Sequence, residues 1–261
     1  MVSTSVRAPG GAYVPGLIWT LVRTDFKARY HGTIGGYVWA LLKPLSMFVV
    51  LLGVFSVIFS TDPNYHLNLI IGLFLWDFFS ESTRAGIGSL HAKGFLITRA
   101  RFPNWIVVLT SGSNALFTLS LFLVLIVLYV SVFRHPLSVG EIGLLIYYLV
   151  AYSAVVLGFS LASSVLFLRY RDLNQVWDLC LQAGFFVAPV IYPLHIIPER
   201  LHFYLYLWMP TPFIQFTRAI LVDEVVPTPK AHLLLLINAA VVLTVGGIVF
   251  RLLAPRAVEE L

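Results

Sequence analysis

Charge is what this 261-residue chain has least of: 11% of its residues are Asp, Glu, Lys or Arg, where soluble domains carry about a quarter. Hydrophobic residues make up 59%, and the mean hydropathy is +0.89. So few polar groups cannot cover so much apolar surface in water, which excludes a soluble domain and points to an integral membrane protein. Cysteine is nearly missing as well. Cys180 stands alone, so neither an internal disulfide nor a cysteine-based metal site can form. In its apolar run it reads as a small buried thiol. None of the four lysines is followed by Ser or Thr, so no Gly-rich loop ends in the Lys-Ser/Thr pair that cradles nucleotide phosphates. The seven histidines are scattered without His-x-x-x-His spacing, and no Gly-x-Ser-x-Gly elbow offers a nucleophile. The cations are not gathered with interleaved aromatics into a stripe, which argues against nucleic acid as a partner.

What is present is a set of long apolar runs. Six spans are expected, near 38–60, 66–83, 105–133, 143–168, 176–193 and 232–253, each compared with the ~20 residues needed to cross a bilayer. Lys and Arg fix their orientation. With the N-terminus inside, thirteen fall on the cytoplasmic side and four, Arg134, Arg200, Arg218 and Lys230, fall outside. That asymmetry places both termini in the cytoplasm. Asp77, Glu81 and Asp178 fall near span ends, not at the midplane, which argues against an ion-coupled carrier. No internal repeat supplies a pseudo-symmetric pathway within one chain.

Residues 1–16 are rich in Gly, Pro, Ser and Thr and are expected to be disordered, and no cleavable signal peptide is expected before residue 38. Residues 17–36 read as an amphipathic interface helix and a turn. Leu17, Ile18, Leu21, Val22 and Phe26 share one side, and Arg23 and Lys27 share another. Such a helix lies at the membrane surface with its cations toward anionic headgroups. Arg29, Tyr30, Tyr37 and Trp39 join the headgroup-level set. The transmembrane domain covers 37–253, and 254–261 form a cytoplasmic tail. A loop at 84–104 carries His91, Lys93, Phe95, Arg99 and Arg101, apolar anchors beside charge, as expected of a surface that docks a cytoplasmic partner. Arg169 and Asp172 have the spacing of a one-turn ion pair. Seven prolines between 189 and 229 break helical hydrogen bonding, so the outer segment 194–222 reads as short re-entrant or gate helices. Aromatics reach 15% of the chain. Phe48, Phe55, Phe59, Phe185, Phe186 and Tyr192 are candidates to line a path for sugars, whose C–H faces pack on flat rings.

Two motifs carry a resemblance. Arg23-x-Asp25-x-Lys27-x-Arg29-Tyr30-x-x-Thr33-x-x-Gly36-x-x-Trp39-x-x-x-x-Pro44 resembles the N-terminal signature of type-2 ABC exporter permeases. Arg171-Asp172-Leu173-x-Gln175, followed by an apolar span ending in Pro189-Val190-x-Tyr192, is similar to a second signature of that family. Gly35, where the family has a larger apolar residue, and Met209-Pro210, where it has Asn-Pro, depart from the pattern. The branch most similar exports O-antigen, capsule and teichoic acid. The resemblance implies an all-α integral membrane fold and a permease subunit in the bacterial inner membrane. Its implied partners are a second copy of itself, two ATPase subunits that hold ATP and Mg, a lipid-linked polysaccharide and membrane lipids. It also implies that loop 84–104 contacts the ATPase and that the chain itself binds no cofactor. A drug or small-lipid exporter permease, an integral-membrane enzyme acting on lipid-linked sugar, and a scaffold subunit are the rival readings. Purified alone, the chain is expected to hydrolyse no ATP. Phosphate release from the detergent-solubilised chain measures this, and steady turnover would refute the permease reading.

Overall fold

The structure is a computed structural model, and it describes residues 13–30, 38–60, 62–99 and 103–258. Among them there is helix and no strand. The elements are α1 (Tyr13–Tyr30), α2 (Val38–Phe55), α3 (Tyr65–Ala92), α4 (Gly94–Arg99), α5 (Trp105–Ser111) and α6 (Ser113–Phe133). There follow α7 (Val139–Arg169), α8 (Leu173–Val187), α9 (Glu199–Leu207), α10 (Pro210–Leu221) and α11 (Pro229–Val258). A single 3-10 turn, Leu194–Ile196, precedes α9.

Four segments are long and apolar enough to cross a membrane: Val38–Phe55, Trp105–Phe133, Val139–Arg169 and Pro229–Pro255. Their large side chains point outward. Val49, Val50 and Val54 of α2, Leu125, Leu128 and Val132 of α6, and Leu233, Leu234 and Leu252 of α11 are all exposed. A protein dissolved in water hides such faces, whereas one dissolved in lipid presents them. The segment expected to cross at 66–83 is different in kind. As α3 it runs 28 residues to Ala92, about 42 Å at 1.5 Å per residue, and most of it is buried inside the protein.

α3 is the central post. Phe74 stacks on Phe122 of α6 with centroids 3.9 Å apart. Tyr152 of α7 is fully enclosed, stacks on Phe213 of α10 at 4.3 Å, and donates its hydroxyl to the Leu75 carbonyl at 3.1 Å. That bond gives a buried phenol its required partner. α7 and α11 approach through glycines. A Cβ built on Gly158 would stand 2.5 Å from the Val242 carbonyl oxygen, and one on Gly246 would collide with the Gly158 carbonyl. Small residues permit this backbone-to-backbone contact, which is how apolar helices attract each other in lipid.

Several expected boundaries shift. α1 begins at Tyr13, before residue 17, and it is not simply a surface helix. Leu21 is buried and Phe26 meets Phe117 of α6 edge-on at 5.0 Å, so its apolar side packs on protein. The first span ends as helix at Phe55, and the third is interrupted at Gly112. Most of the expected loop 84–104 is helix, because 84–92 complete α3 and 94–99 form α4. α8 has 15 residues where 18 were expected; the proline-rich chain unwinds after Val187. The tail expected at 254–261 is helical through Val258. Cys180 is exposed on α8, not buried. The turn expected at 31–36, most of the N-terminal segment 1–16 and residues 259–261 lie outside the described residues.

The Gly158–Gly246 contact yields a test. Gly246→Leu is expected to force α7 and α11 apart at a cost of about 1–3 kcal/mol. A lowered melting temperature of the detergent-purified protein checks it, and an unchanged one would deny the close approach.

Candidate functional site

α2, α3 and α8 enclose a cleft of about 720 Å³. Its walls are Pro44, Met47 and Val50 of α2 and Leu181, Gln182, Phe185 and Phe186 of α8. On α8 these positions recur every three or four residues, so a single helical face supplies them. α3 forms the floor with Leu73, Trp76, Asp77, Ser80 and Arg84. The upper floor is aromatic: Trp76 meets Phe185 edge-on at 5.7 Å. The lower floor is charged but compensated. Lys43 Nζ lies 3.2 Å from the Asp77 carboxylate, and Arg84 Nε donates to Asp178 Oδ1 at 2.6 Å. Flat rings beside paired charges suit a ligand with both apolar and hydroxyl faces, because each ring buries C–H groups while the polar row exchanges hydrogen bonds.

Those two pairs belong to a wider ionic collar on the second half of α3. Glu81 pairs with Arg29 of α1. Lys93, the residue that caps α3, donates to Asp25 of α1 at 2.5 Å. Arg171, after α7, lies 3.0 Å from the ring nitrogens of His91. One helix thus makes polar contact with α1, α2, α8 and the α7–α8 connection. Most of these side chains keep part of their surface exposed, so each pair is worth only about 0–1 kcal/mol. They fix orientation more than stability. Arg169 does not pair with Asp172; its guanidinium lies over the Tyr170 ring.

The other end of α3 is held by Arg218 of α10, which is 4% exposed. Its Nε and Nη2 donate to the Asn68 carbonyl at 2.9 and 2.5 Å. Its Nη1 reaches the Pro189 carbonyl at 2.6 Å and its Nη2 the Val190 carbonyl at 2.9 Å. Pro189 and Val190 begin the unwound chain after α8, so the guanidinium satisfies carbonyls that a continuing helix would have bonded itself. Gly72 leaves it room: a Cβ there would stand 2.5 Å from Nη2. Trp208, just before α10, wedges against the backbone of α8 at Gly184 and packs near Trp76, Phe79 and Trp177.

The residues singled out from the sequence separate into groups. Phe185 and Phe186 line the cleft. Tyr192 closes α8 instead, its hydroxyl donating to the Phe186 and Val187 carbonyls. Phe48, Phe55 and Phe59 pack toward the protein core and do not line the cleft. Arg23, Lys27 and Trp39 are exposed, while Arg29 is engaged with Glu81. His91 and Lys93 are tied to Arg171 and Asp25 within the chain, and Phe95 is exposed on α4. Tyr37, Arg101 and the side chains of Tyr30 and Arg99 lie outside the described residues. Sequence reasoning missed Trp76, Gln182, Trp208 and the Arg84–Asp178 pair. It also counted Arg218 among the outer cations, in the gate segment, where the structure buries it. The one available signal was Asp77, Glu81 and Arg84 at helical spacing inside an otherwise apolar run.

A family model described as ABC-2 type transporter matches residues 16–222. An O-antigen export system permease protein of Myxococcus xanthus is 30% identical over 197 residues, covering 71% of each chain. One from Klebsiella pneumoniae is 28% identical over 199 residues, covering 72% of this chain and 73% of that protein. A polysialic acid transport protein of Escherichia coli is 24% identical over 193 residues, covering 71% and 73%.

Arg218 offers a decisive substitution. Arg218→Leu leaves the Pro189 and Val190 carbonyls, which lie outside any helix, without their donor, each costing about 1–3 kcal/mol. The protein is expected to melt well below the parent, and Arg218→Lys, with a charge but fewer donors, to fall between. Equal melting temperatures for all three would remove the anchoring role.

Proposed function

We propose, from the premise that the chain belongs to the ABC-2 type transporter family, that it is the membrane-spanning permease subunit of an ATP-driven exporter for a lipid-linked polysaccharide of the O-antigen or capsule kind. The observation that carries the reading is the aromatic cleft with a charge-compensated floor, found in a chain whose relatives are named as O-antigen and polysialic acid export proteins. The substrate's polar, C–H-faced repeat matches that surface.

In this reading six segments cross the inner membrane: α2, α3, α5 with α6, α7, α8 with the unwound chain after it, and α11. Both termini are cytoplasmic, in line with the Lys and Arg asymmetry. Once Arg218 is seen to be buried, only three cations remain on the outer side. α1 lies at the inner surface, with Arg23 and Lys27 toward the headgroups. α9 and α10 re-enter from the outside as a gate. Two copies face each other across their clefts, and two ATPase subunits bind below, holding ATP and Mg. They press on α4 and the lower end of α3. The ionic collar passes that push to α1, α2 and α8 together.

Deletion of the gene is expected to abolish surface polysaccharide while the lipid-linked polymer accumulates inside the cell, which immunoblotting of surface and membrane fractions measures. Normal surface polymer would overturn the reading. For the docking role, Arg99→Glu with Arg101→Glu is the suitable pair, since Lys93 is needed to hold Asp25. The pair is expected to abolish co-purification of the ATPase subunit without altering melting temperature. Undiminished co-purification would exclude those cations from the contact.

A further inference from the structure

A second groove, of about 430 Å³, lies between α5, α7 and α11. α11 falls beyond the residues that the family model matches, and the groove shares no residue with the cleft. Leu157 and Leu161 of α7 and Gly247, Phe250 and Ala254 of α11 make it apolar, with Trp105 at one side. Arg251 is the only charged residue among the described ones that lines it.

Three observations identify the occupant. Ile248 and Leu252 flank the groove and are 51% and 69% exposed, so this side of α11 meets whatever solvates the protein. At a membrane span that solvent is lipid. The floor is open, since a Cβ on Gly247 would meet nothing within 4 Å. Arg251 is exposed and has no ion pair or hydrogen-bond partner among the described residues. A long cationic side chain near a span end reaches to the interface, where an anionic headgroup is its natural counter-charge. With Trp105 beside it, the rim has the composition of a headgroup level.

We propose that this groove binds an anionic phospholipid of the cytoplasmic leaflet, its phosphate on Arg251 and the start of an acyl chain over Gly247. Basic pockets between spans on the cytoplasmic side bind headgroups in this way. The leaflet rests on the orientation proposed above; the binding itself does not.

The test uses the whole transporter in nanodiscs of phosphatidylethanolamine and phosphatidylglycerol, with retained lipids counted by native mass spectrometry. The parent is expected to retain phosphatidylglycerol in preference. Arg251→Gln is expected to lower that retention about fivefold, the factor for one cation at an anionic surface. Gly247→Leu keeps the charge but fills the floor, and is expected to lower it as well. Loss with Arg251→Gln alone would reduce the site to surface attraction and overturn the groove. Unchanged retention in both variants would overturn the proposal outright, as would displacement of the lipid by inorganic phosphate. Leu161→Trp fills the groove from the α7 side and replaces Gly247→Leu if that variant melts early. Thiol labelling of Arg200→Cys in a Cys180→Ser background from the outside of cells tests the orientation separately. Its failure moves the bound lipid to the other leaflet without removing it.

Discussion

A guanidinium inside the protein ties the proline-broken chain after α8 to the start of α3. The prolines after α8 make a continuous helix impossible there, and each lost helical bond frees a carbonyl. Such groups are tolerated at membrane depth only where protein satisfies them. Arg218 does so from α10, taking the carbonyls of Pro189, Val190 and Asn68 at once. It thereby fastens the unwound chain and α10 to the upper end of α3. Arginine suits the position because its donors are spread over a rigid plane and its charge persists. Tyr192 works to the same end, bonding the last carbonyls of α8 with its hydroxyl.

The lower end of α3 is held by different physics. Five charge-bearing contacts join it to its neighbours, and most leave their side chains partly exposed. Pairs of that kind contribute about 0–1 kcal/mol each and exchange readily with water. Breaking the Arg218 cluster strands buried carbonyls at several kcal/mol. The contrast in magnitude makes the Arg218 end of α3 the more firmly held. α1, α2 and α8 are joined to the lower end of α3 through those charged side chains.

Much of this was legible in the amino acids, and the gaps have physical causes. Composition alone gives the solvent, since so little charge cannot clothe a soluble fold. Periodicity gives α1, and proline density gives the broken outer segment. The length of α3 was hidden because Gly86, Gly88 and His91 resemble a loop in isolation. In the fold, Gly86 packs against Ser160 of α7, where a side chain would not fit. The pairing of Arg84 with Asp178 joins residues 94 positions apart, and no local spacing announces it. Arg218 was harder still. Its partners are backbone carbonyls, which every residue has, so the sequence offers no complementary charge to look for. Phe48 and Phe55 of α2, and Phe59 in the turn after it, were judged on ring chemistry alone, which does not tell a core-facing side from an open one.

The open side of the cleft bears on how the chain is used. Its rim is apolar, with Met47 and Val50 on α2 and Phe186 on α8 all exposed. Its floor carries Lys43, Asp77 and Arg84. A rim of that kind is comfortable against lipid; a charged floor is not, even when its charges are paired. Water, substrate or a second copy must therefore screen the floor from the acyl chains. Two clefts set face to face meet that need: the apolar rims seal against each other and the polar floors share one hydrated space.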